Sequence, residues 1–188
     1  VMARRQRQMC IRDRPNTIFY KRNLITPPDN SIELMEIEAK KILKRNKFYQ
    51  DEVSSWTKNG KESKHNMNYW GYGDYLGLGP GAHSKITTNK SITRMIKLKK
   101  VKSYIDNPCK TTNTEITTRN YDLDLAMNLL RIKEGLTFDE INKRNIYLSK
   151  TFLSKLEKGV EENLLEKGGI KASDMGYKFL NDTVNIFS

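Results

Sequence analysis

Apolar residues recur at helical spacing after the first 28 positions of the chain. Asn30 and Glu33 match a helix N-cap and an acid at its third position. The apolar positions that follow are three or four residues apart, and they are Ile32, Met35, Ala39, Ile42 and Leu43. This spacing predicts one long amphipathic helix. Tyr49 and Val53 then predict a short strand over residues 48–54.

Glycine and aromatic residues dominate the run HNMNYWGYGDYLGLGPGAHS, residues 65–84. Residues 75–78 predict a second strand, which Gly79, Pro80 and Gly81 end. A helix, a strand, a loop and a strand in this order indicate the trailing part of an α/β fold, with the two strands nearly parallel and their edges open. Glycine at alternate strand positions removes side chains from one face, so a ligand or another backbone can lie against it.

A basic stretch and a polar stretch come next. Residues 85–102 contain seven Lys or Arg and no acid. This composition predicts a solvated linker, and the alternative is a surface for an anionic partner. Residues 111–118 read TTNTEITT, which predicts a polar loop and a domain boundary.

The last part of the chain has helical periodicity. Thr137 and Glu140 form a capping box. Apolar stripes on two further helices comprise Leu123, Ala126, Met127, Leu130, Phe152, Leu153, Leu156 and Val160. Gly168 and Gly169 predict a tight hairpin, and residues 174–187 predict a closing helix. Helices followed by a small hairpin and a final helix predict a winged-helix-like domain.

Composition narrows the class of protein. A chain of 188 residues suggests one domain or two small ones. No stretch approaches the roughly 20 apolar residues of a membrane span, and no signal segment is visible, so a cytoplasmic location is expected. Cys10 and Cys109 are too few for a disulfide framework or a paired-cysteine metal site.

The net charge of +12 raises the question of nucleic acid. Residues 1–14 account for part of it, with five arginines against one aspartate. They show no amphipathic period and resemble a translated sequencing-adapter string, so we expect a non-native or disordered leader; a genuine basic arm is the alternative. We also expect the chain to be the C-terminal fragment of a longer protein.

His65 and His83 are the two histidines of the chain. Imidazole is a good ligand for haem iron, and neighbouring aromatic rings can stack on a porphyrin. Lys61 and Lys64 could meet haem propionates as point charges. From the residues alone, a structural or surface histidine is the simpler interpretation of both. Neither histidine has a second ligand at helical spacing, which argues against zinc.

Other motifs exclude several chemistries. Gly77, Gly79 and Gly81 form GxGxG and are not followed by an apolar helix, so a dinucleotide-binding fingerprint is not indicated. A phosphate-binding P-loop motif is missing from the sequence. Paired carboxylates and Ser/His/Asp or Cys/His arrangements do not rise above chance, so no catalytic residue is assigned.

The segments ESKHNMNYW and GDYLGLGPGAHS closely resemble radical S-adenosylmethionine proteins related to oxygen-independent coproporphyrinogen III oxidase. The HNxxYW element resembles the haem-chaperone branch of that family. PNTIFYKR, FYQDEVSSWTKNG and DLAMNLLRIKEGL extend the resemblance from Pro15 to the end. It implies an α/β fold: the trailing part of a partial TIM-like radical S-adenosylmethionine barrel over residues 15–110, then a mostly helical winged-helix-like domain over residues 111–188.

The same resemblance implies a site. His65, Asn66, Tyr69 and Trp70 would bind haem, with His65 on the iron, and Ala82 and His83 would lie on the S-adenosylmethionine side. The longer protein would deliver haem to recipient proteins, and its helical tail would act as a lid or partner domain that does not bind DNA. The resemblance leaves room for a homodimer and for peripheral membrane contact.

Departures from the family pattern limit what this chain can do. Asp51 stands where the family usually has tyrosine, Asp124 where it has glutamate, and Ser55-Trp56 replace Asn-Phe. The CxxxCxxC cysteines that would hold a [4Fe–4S] cluster are missing, so this chain alone is expected not to cleave S-adenosylmethionine. A coproporphyrinogen III oxidase is the alternative function. A winged-helix nucleic-acid binder is a third, although the glycines and aromatics lie outside the winged-helix part.

Overall fold

The computed structural model describes residues 18–22, 27–58, 60–88, 91–117 and 121–188. Residues 1–14 lie outside this part of the chain, so the expectation of a non-native leader stays a prediction. The helices are α1 (Ile18–Arg22), α2 (Asp29–Arg45), α3 (Lys64–Trp70), α4 (Val101–Asp106), α5 (Asp122–Leu129), α6 (Phe138–Lys143), α7 (Lys150–Glu161), α8 (Asp174–Lys178) and α9 (Leu180–Asn185). The strands are β1 (Tyr49–Glu52), β2 (Ser55–Thr57), β3 (His83–Thr87), β4 (Ile92–Lys97), β5 (Thr111–Thr117), β6 (Leu136–Thr137) and β7 (Gly169–Ile170).

Helix α2 confirms the first periodic segment, but its start differs from the expected one. Pro28 is the N-cap residue and makes no side-chain cap, while the Asn30 side chain accepts a hydrogen bond from the Ser31 amide. Proline suits a helix start because its missing N–H would be unpaired there in any case. None of the residues of α2 is buried, so its apolar stripe faces solvent.

The strand expected over residues 48–54 is confirmed as β1, which pairs antiparallel with β2. Val53 lies in the turn between them, and its amide donates to the Arg131 carbonyl at 3.1 Å. Glu52 forms an antiparallel bridge with Ile132. The hairpin is therefore tied to the segment that follows α5.

Residues 75–78 do not form the expected strand. The expected parallel pairing with the strand near Val53 is also wrong. Tyr75 makes one antiparallel bridge with Lys85. Leu76 and Leu78 are 73% and 86% exposed. Leucine side chains that point into solvent are not buried when their segment joins a sheet, so they do not stabilise a strand there. The glycine between them weakens a strand further.

The basic stretch and the polar stretch are strands, so both sequence-based predictions of loop structure are wrong. The antiparallel sheet has the order β3-β4-β5. Ile92 and Lys85 are each only 3% exposed, which a solvated linker would not produce. Threonine-rich β5 suits a sheet because β-branched side chains fit a pleated surface.

The C-terminal helices hold the hydrophobic core. Side chains below 1% exposure from α5 and its C-cap, α7 and β7 are Leu125, Leu129, Leu130, Phe152 and Ile170. The capping box is confirmed, since Thr137 accepts from the Glu140 amide and Glu140 accepts from the Thr137 amide. The expected closing helix is divided into α8 and α9 at Phe179, whose backbone leaves the helical region.

A small hairpin lies where Gly168 and Gly169 predicted one. Gly168 has a positive φ of 93°, Leu165 bridges Ala172, and β7 pairs with β6. The described residues thus form a mixed α/β structure with small antiparallel sheets and without a closed barrel.

Candidate functional site

Helix α3 carries the histidine that the sequence singled out. Its N-cap is Ser63, whose hydroxyl accepts from the Asn66 amide at 3.3 Å. His65 is exposed in the first turn, and Tyr69 lies one turn later on the same face, 39% exposed. Within the described residues the His65 imidazole has no hydrogen-bond or ion-pair partner. Its nitrogens are therefore free to bind a ligand.

Trp70 lies on the side of α3 that faces the core. Its ring packs against the core, and the Arg131 guanidinium lies 4.8 Å from the ring centroid. Tyr69 meets it edge-on at 5.0 Å. The Trp70 Nε1 is buried and has no hydrogen-bond partner among the described residues. Arg131 thus occupies part of the Trp70 surface that the sequence assigned to a porphyrin.

The remaining residues of the expected site lie on α3, in the loop before β3 and at the start of β3. Asn66 is half-buried on α3. The Ala82 carbonyl accepts from the Lys97 amide at 2.9 Å, and exposed His83 begins β3 opposite Ile96. At Gly77 a β-carbon would lie 2.2 Å from the His83 carbonyl oxygen. Another backbone, rather than a ligand, therefore lies against this glycine.

A left-handed turn after α3 directs Tyr72 inward. Tyr72 has φ 61°, and the Gly73 amide donates to the Asn68 carbonyl at 2.8 Å. The Asn68 side-chain amide donates to the Asp74 carbonyl at 3.0 Å. These bonds close the helix end, and they leave Tyr72 only 6% exposed.

Lys85 is a buried cation beside this turn. Its Nζ donates to the Tyr72 carbonyl at 2.8 Å, to Thr87 Oγ1 at 3.0 Å and to Asp74 at 3.2 Å. Burial lowers the pKa of Lys85, although the Asp74 carboxylate opposes this shift. Burial would raise the pKa of Asp74, but hydrogen bonds from Thr87 and Lys85 outweigh it, and the pKa is lowered.

A second polar group links α3 to the C-terminal helices. The Tyr72 hydroxyl donates to the Asp124 carboxylate, and Arg94 Nη2 donates to the same oxygen at 2.5 Å. Burial raises the pKa of Tyr72, and burial raises the pKa of Tyr75 to about 12. Burial would lower the pKa of Arg94, but Tyr72 and Asp124 raise it, so the guanidinium keeps its charge.

These groups surround a cavity of about 60 Å³ next to α3. Its lining comprises Tyr69, Tyr72, Tyr75, Lys85, Arg94, Asp124 and Asn128. The sequence interpretation missed it because Lys85 and Arg94 were assigned to a linker. The spacing of three between Tyr69, Tyr72 and Tyr75 was the available signal.

The described part of the chain contains no group of three or more His, Cys, Asp or Glu side chains arranged to hold a metal ion. Among the described residues, no helix has the length and apolar character that crossing a membrane requires.

Comparison with known proteins identifies relatives. The haem chaperone HemW of Buchnera aphidicola subsp. Acyrthosiphon pisum is 32% identical over 181 residues, which cover 92% of this chain and 47% of that protein. The chain is a relative of the haem chaperone HemW. The Escherichia coli HemW is 24% identical over 176 residues. A zebrafish protein named radical S-adenosyl methionine domain-containing protein 1, mitochondrial, is 26% identical over 178 residues, covering 84% of this chain and 39% of that protein.

The similarity to HemW extends over both the α3 region and the C-terminal helices, because it covers nearly the whole chain. The chain spans about half the length of the HemW proteins that it matches, which agrees with the expectation that it is part of a longer protein. No protein-family profile matches the chain. No solved structure matches it.

Proposed function

We propose that the chain is part of a haem chaperone and that α3 carries its haem contact, with His65 as an axial ligand to the iron. The observation that carries this proposal is the exposed His65 imidazole, which has no hydrogen-bond partner in the described part of the chain and is followed by Tyr69 on the same helix face. Neutral imidazole coordinates haem iron, and an aromatic ring favours contact with a flat macrocycle.

The available space indicates how the haem would lie. Pockets that enclose small organic ligands have volumes of roughly 300–1,000 Å³, whereas the cavity beside α3 measures about 60 Å³. A haem therefore would rest on the open face of α3 and would remain partly exposed. Partial exposure suits a chaperone, because the cargo must leave the protein again.

The aromatic residues of α3 would contribute differently. Tyr69 is exposed and would contact the macrocycle directly. Trp70 is packed on the core beneath the Arg131 guanidinium, so it would support the helix from behind. Asn66 would lie near the haem because it follows His65 directly on α3.

The rest of the proposal concerns the longer protein. Its [4Fe–4S] cluster and S-adenosylmethionine would be held mainly by residues outside this chain, and Ala82 and His83 would face S-adenosylmethionine. The order helix, β6, two helices and hairpin in the C-terminal part supports a winged-helix-like lid or partner domain. The same proposal includes a domain division between residues 110 and 111 and a cytoplasmic location. It also includes haem-recipient proteins as partners, a homodimer and peripheral membrane contact.

Haem titration of the longer protein tests the site. Wild type, His65→Ala and His83→Ala are titrated with haem and followed by the Soret band. We expect His65→Ala to lose or shift the band and His83→Ala to match wild type, since both histidines are exposed but only His65 lies on α3 beside Tyr69. An unchanged Soret band in His65→Ala would refute the assignment, whatever the result for His83→Ala.

A further inference from the structure

The polar cavity and the exposed face of α3 share one residue. Tyr69 follows His65 by four positions, about 6 Å along a helix, and it also lines the cavity. A cavity of about 60 Å³ accommodates one carboxylate group or about two water molecules. Its size therefore excludes a macrocycle but permits a small polar group attached to one.

Arg94 has donors that no described residue uses. Its Nη2 donates to Asp124 and, at 3.4 Å, to the Tyr72 hydroxyl. Its Nε and Nη1 have no hydrogen-bond partner among the described residues, and the side chain is 29% exposed. The planar guanidinium fork matches a carboxylate with two parallel hydrogen bonds.

Charge within the cavity does not repel an anion. The lining contains two cations, Lys85 and Arg94, and one carboxylate, Asp124. Arg94 is paired with Asp124, and Lys85 is paired with Asp74, which lies outside the lining, so the lining carries no net negative charge. The Tyr75 hydroxyl is protonated at neutral pH, as in any tyrosine, and burial raises its pKa further to about 12, so it can donate. Tyr69 lies beside it, with ring centroids 5.3 Å apart.

We propose that this cavity receives one haem propionate, held by Arg94 with Tyr69 and Tyr75, while His65 meets the iron. The inference rests on the proposed function and deepens it. Haem carries both propionates on one edge, so a macrocycle on the exposed face of α3 can direct that edge toward Tyr69. The propionate contact is then this cavity and not Lys61 or Lys64. Both lysines are exposed; Lys64 is the first residue of α3, and Lys61 precedes the helix.

The test compares haem with haem dimethyl ester, in which both carboxylates are blocked, in one detergent buffer. The longer protein is used as wild type, Arg94→Lys, Tyr75→Phe and the control Lys64→Gln. Arg94→Lys retains a cation for Asp124 and removes the fork. We expect wild type to bind the ester about tenfold more weakly than haem, a loss typical of one charged hydrogen-bonded contact. Arg94→Lys should bind haem about tenfold more weakly than wild type does. It should bind the ester as tightly as wild type does.

Tyr75→Phe should weaken haem binding about threefold, the smaller effect of a neutral hydrogen bond, and Lys64→Gln should bind as wild type. Equal losses for haem and ester in Arg94→Lys, or a loss confined to Lys64→Gln, would overturn the propionate site. Wild-type haem affinity in Arg94→Lys, together with a shifted Soret band in His65→Ala, would overturn this inference alone. An unchanged Soret band in His65→Ala would overturn the proposed function and the propionate site together.

Discussion

At the residue scale, Asp51 is a buried carboxyl group without a donor. It is 5% exposed on β1, and neither carboxyl oxygen has a hydrogen-bond partner in the described part of the chain. A buried polar group without partners costs free energy, and a buried charge costs more. We therefore expect the unpaired Asp51 side chain to cost the fold free energy.

Asp51→Asn should stabilise the protein, because it removes the charge and retains the shape of the side chain. We expect the free energy of unfolding to rise by about 1 kcal/mol. Urea denaturation measures the change. Asp106→Asn, at an exposed position on α4, is the matched control and should change little. A drop in stability for Asp51→Asn would show that Asp51 has a stabilising partner.

The Asp74 carboxyl group makes the free energy of unfolding depend on pH. Its folded pKa is lowered from 3.8, because hydrogen bonds from Thr87 and Lys85 outweigh burial. A carboxyl group with a lowered folded pKa contributes stability above its unfolded pKa, and this contribution disappears as pH falls through the lower folded value. The stability difference between wild type and Asp74→Asn should thus be full at pH 7 and shrink below about pH 4. Thermal unfolding at pH 7, 5, 4 and 3 tests this, and a difference independent of pH would contradict it.

At the element scale, the capping box of α6 joins the small hairpin to the helical core. Thr137 belongs both to the cap and to β6, where it pairs with Gly169. Its hydroxyl accepts from the Glu140 amide at 3.2 Å. The start of α6 and the attachment of β7 therefore depend on one residue.

Thr137→Ala should lower the free energy of unfolding by about 1 kcal/mol, because a cap acceptor is lost. Thr137→Ser retains the hydroxyl and should recover most of the loss. The difference in melting temperature between the two variants should be about 2–4 °C for a chain of this size. Equal melting temperatures for alanine and serine would show that the cap hydroxyl is not what holds the helix start.

At the scale of the whole molecule, α2 presents its apolar side chains to solvent. Leu34 and Met35 are 66% and 60% exposed, and Ile42 is 51% exposed. Exposed apolar patches of this kind mark interaction surfaces or aggregation sites. The HemW proteins of twice the length have additional chain that could cover this helix.

The isolated chain should self-associate through α2. Leu34→Gln combined with Met35→Gln should shift it toward the monomer in size-exclusion chromatography with light scattering. Lys41→Gln, on the same helix with an exposed side chain, is the matched control and should leave association unchanged. A wild-type chain that remains monomeric at high concentration would contradict the prediction.

Removal of residues 1–14 should leave the melting temperature unchanged within about a degree, because a segment without an apolar period contributes little packing. Differential scanning calorimetry of the full and shortened chains measures this. A drop of several degrees would show that the segment belongs to the fold.

The sequence by itself determined the features that depend on near neighbours. Helix α2, the capping box at Thr137 and the turn at Gly168 were predictable because their signals lie within a few residues of each other. His65 was singled out by its own chemistry and by the residues beside it. Once α3 is known to be a helix, its shared face with Tyr69 follows from helical spacing.

Only the tertiary structure decided the sheet and the cavity. Strand β4 mixes apolar and polar residues and β5 is largely Thr, and each becomes a strand because a partner elsewhere in the chain satisfies its backbone groups. The contact between Tyr72 and Asp124 joins residues 52 positions apart. No local pattern encodes such a pair, because it forms only when the turn after α3 packs against α5. Chain folding alone therefore brings the free donors of Arg94 next to the helix that carries His65.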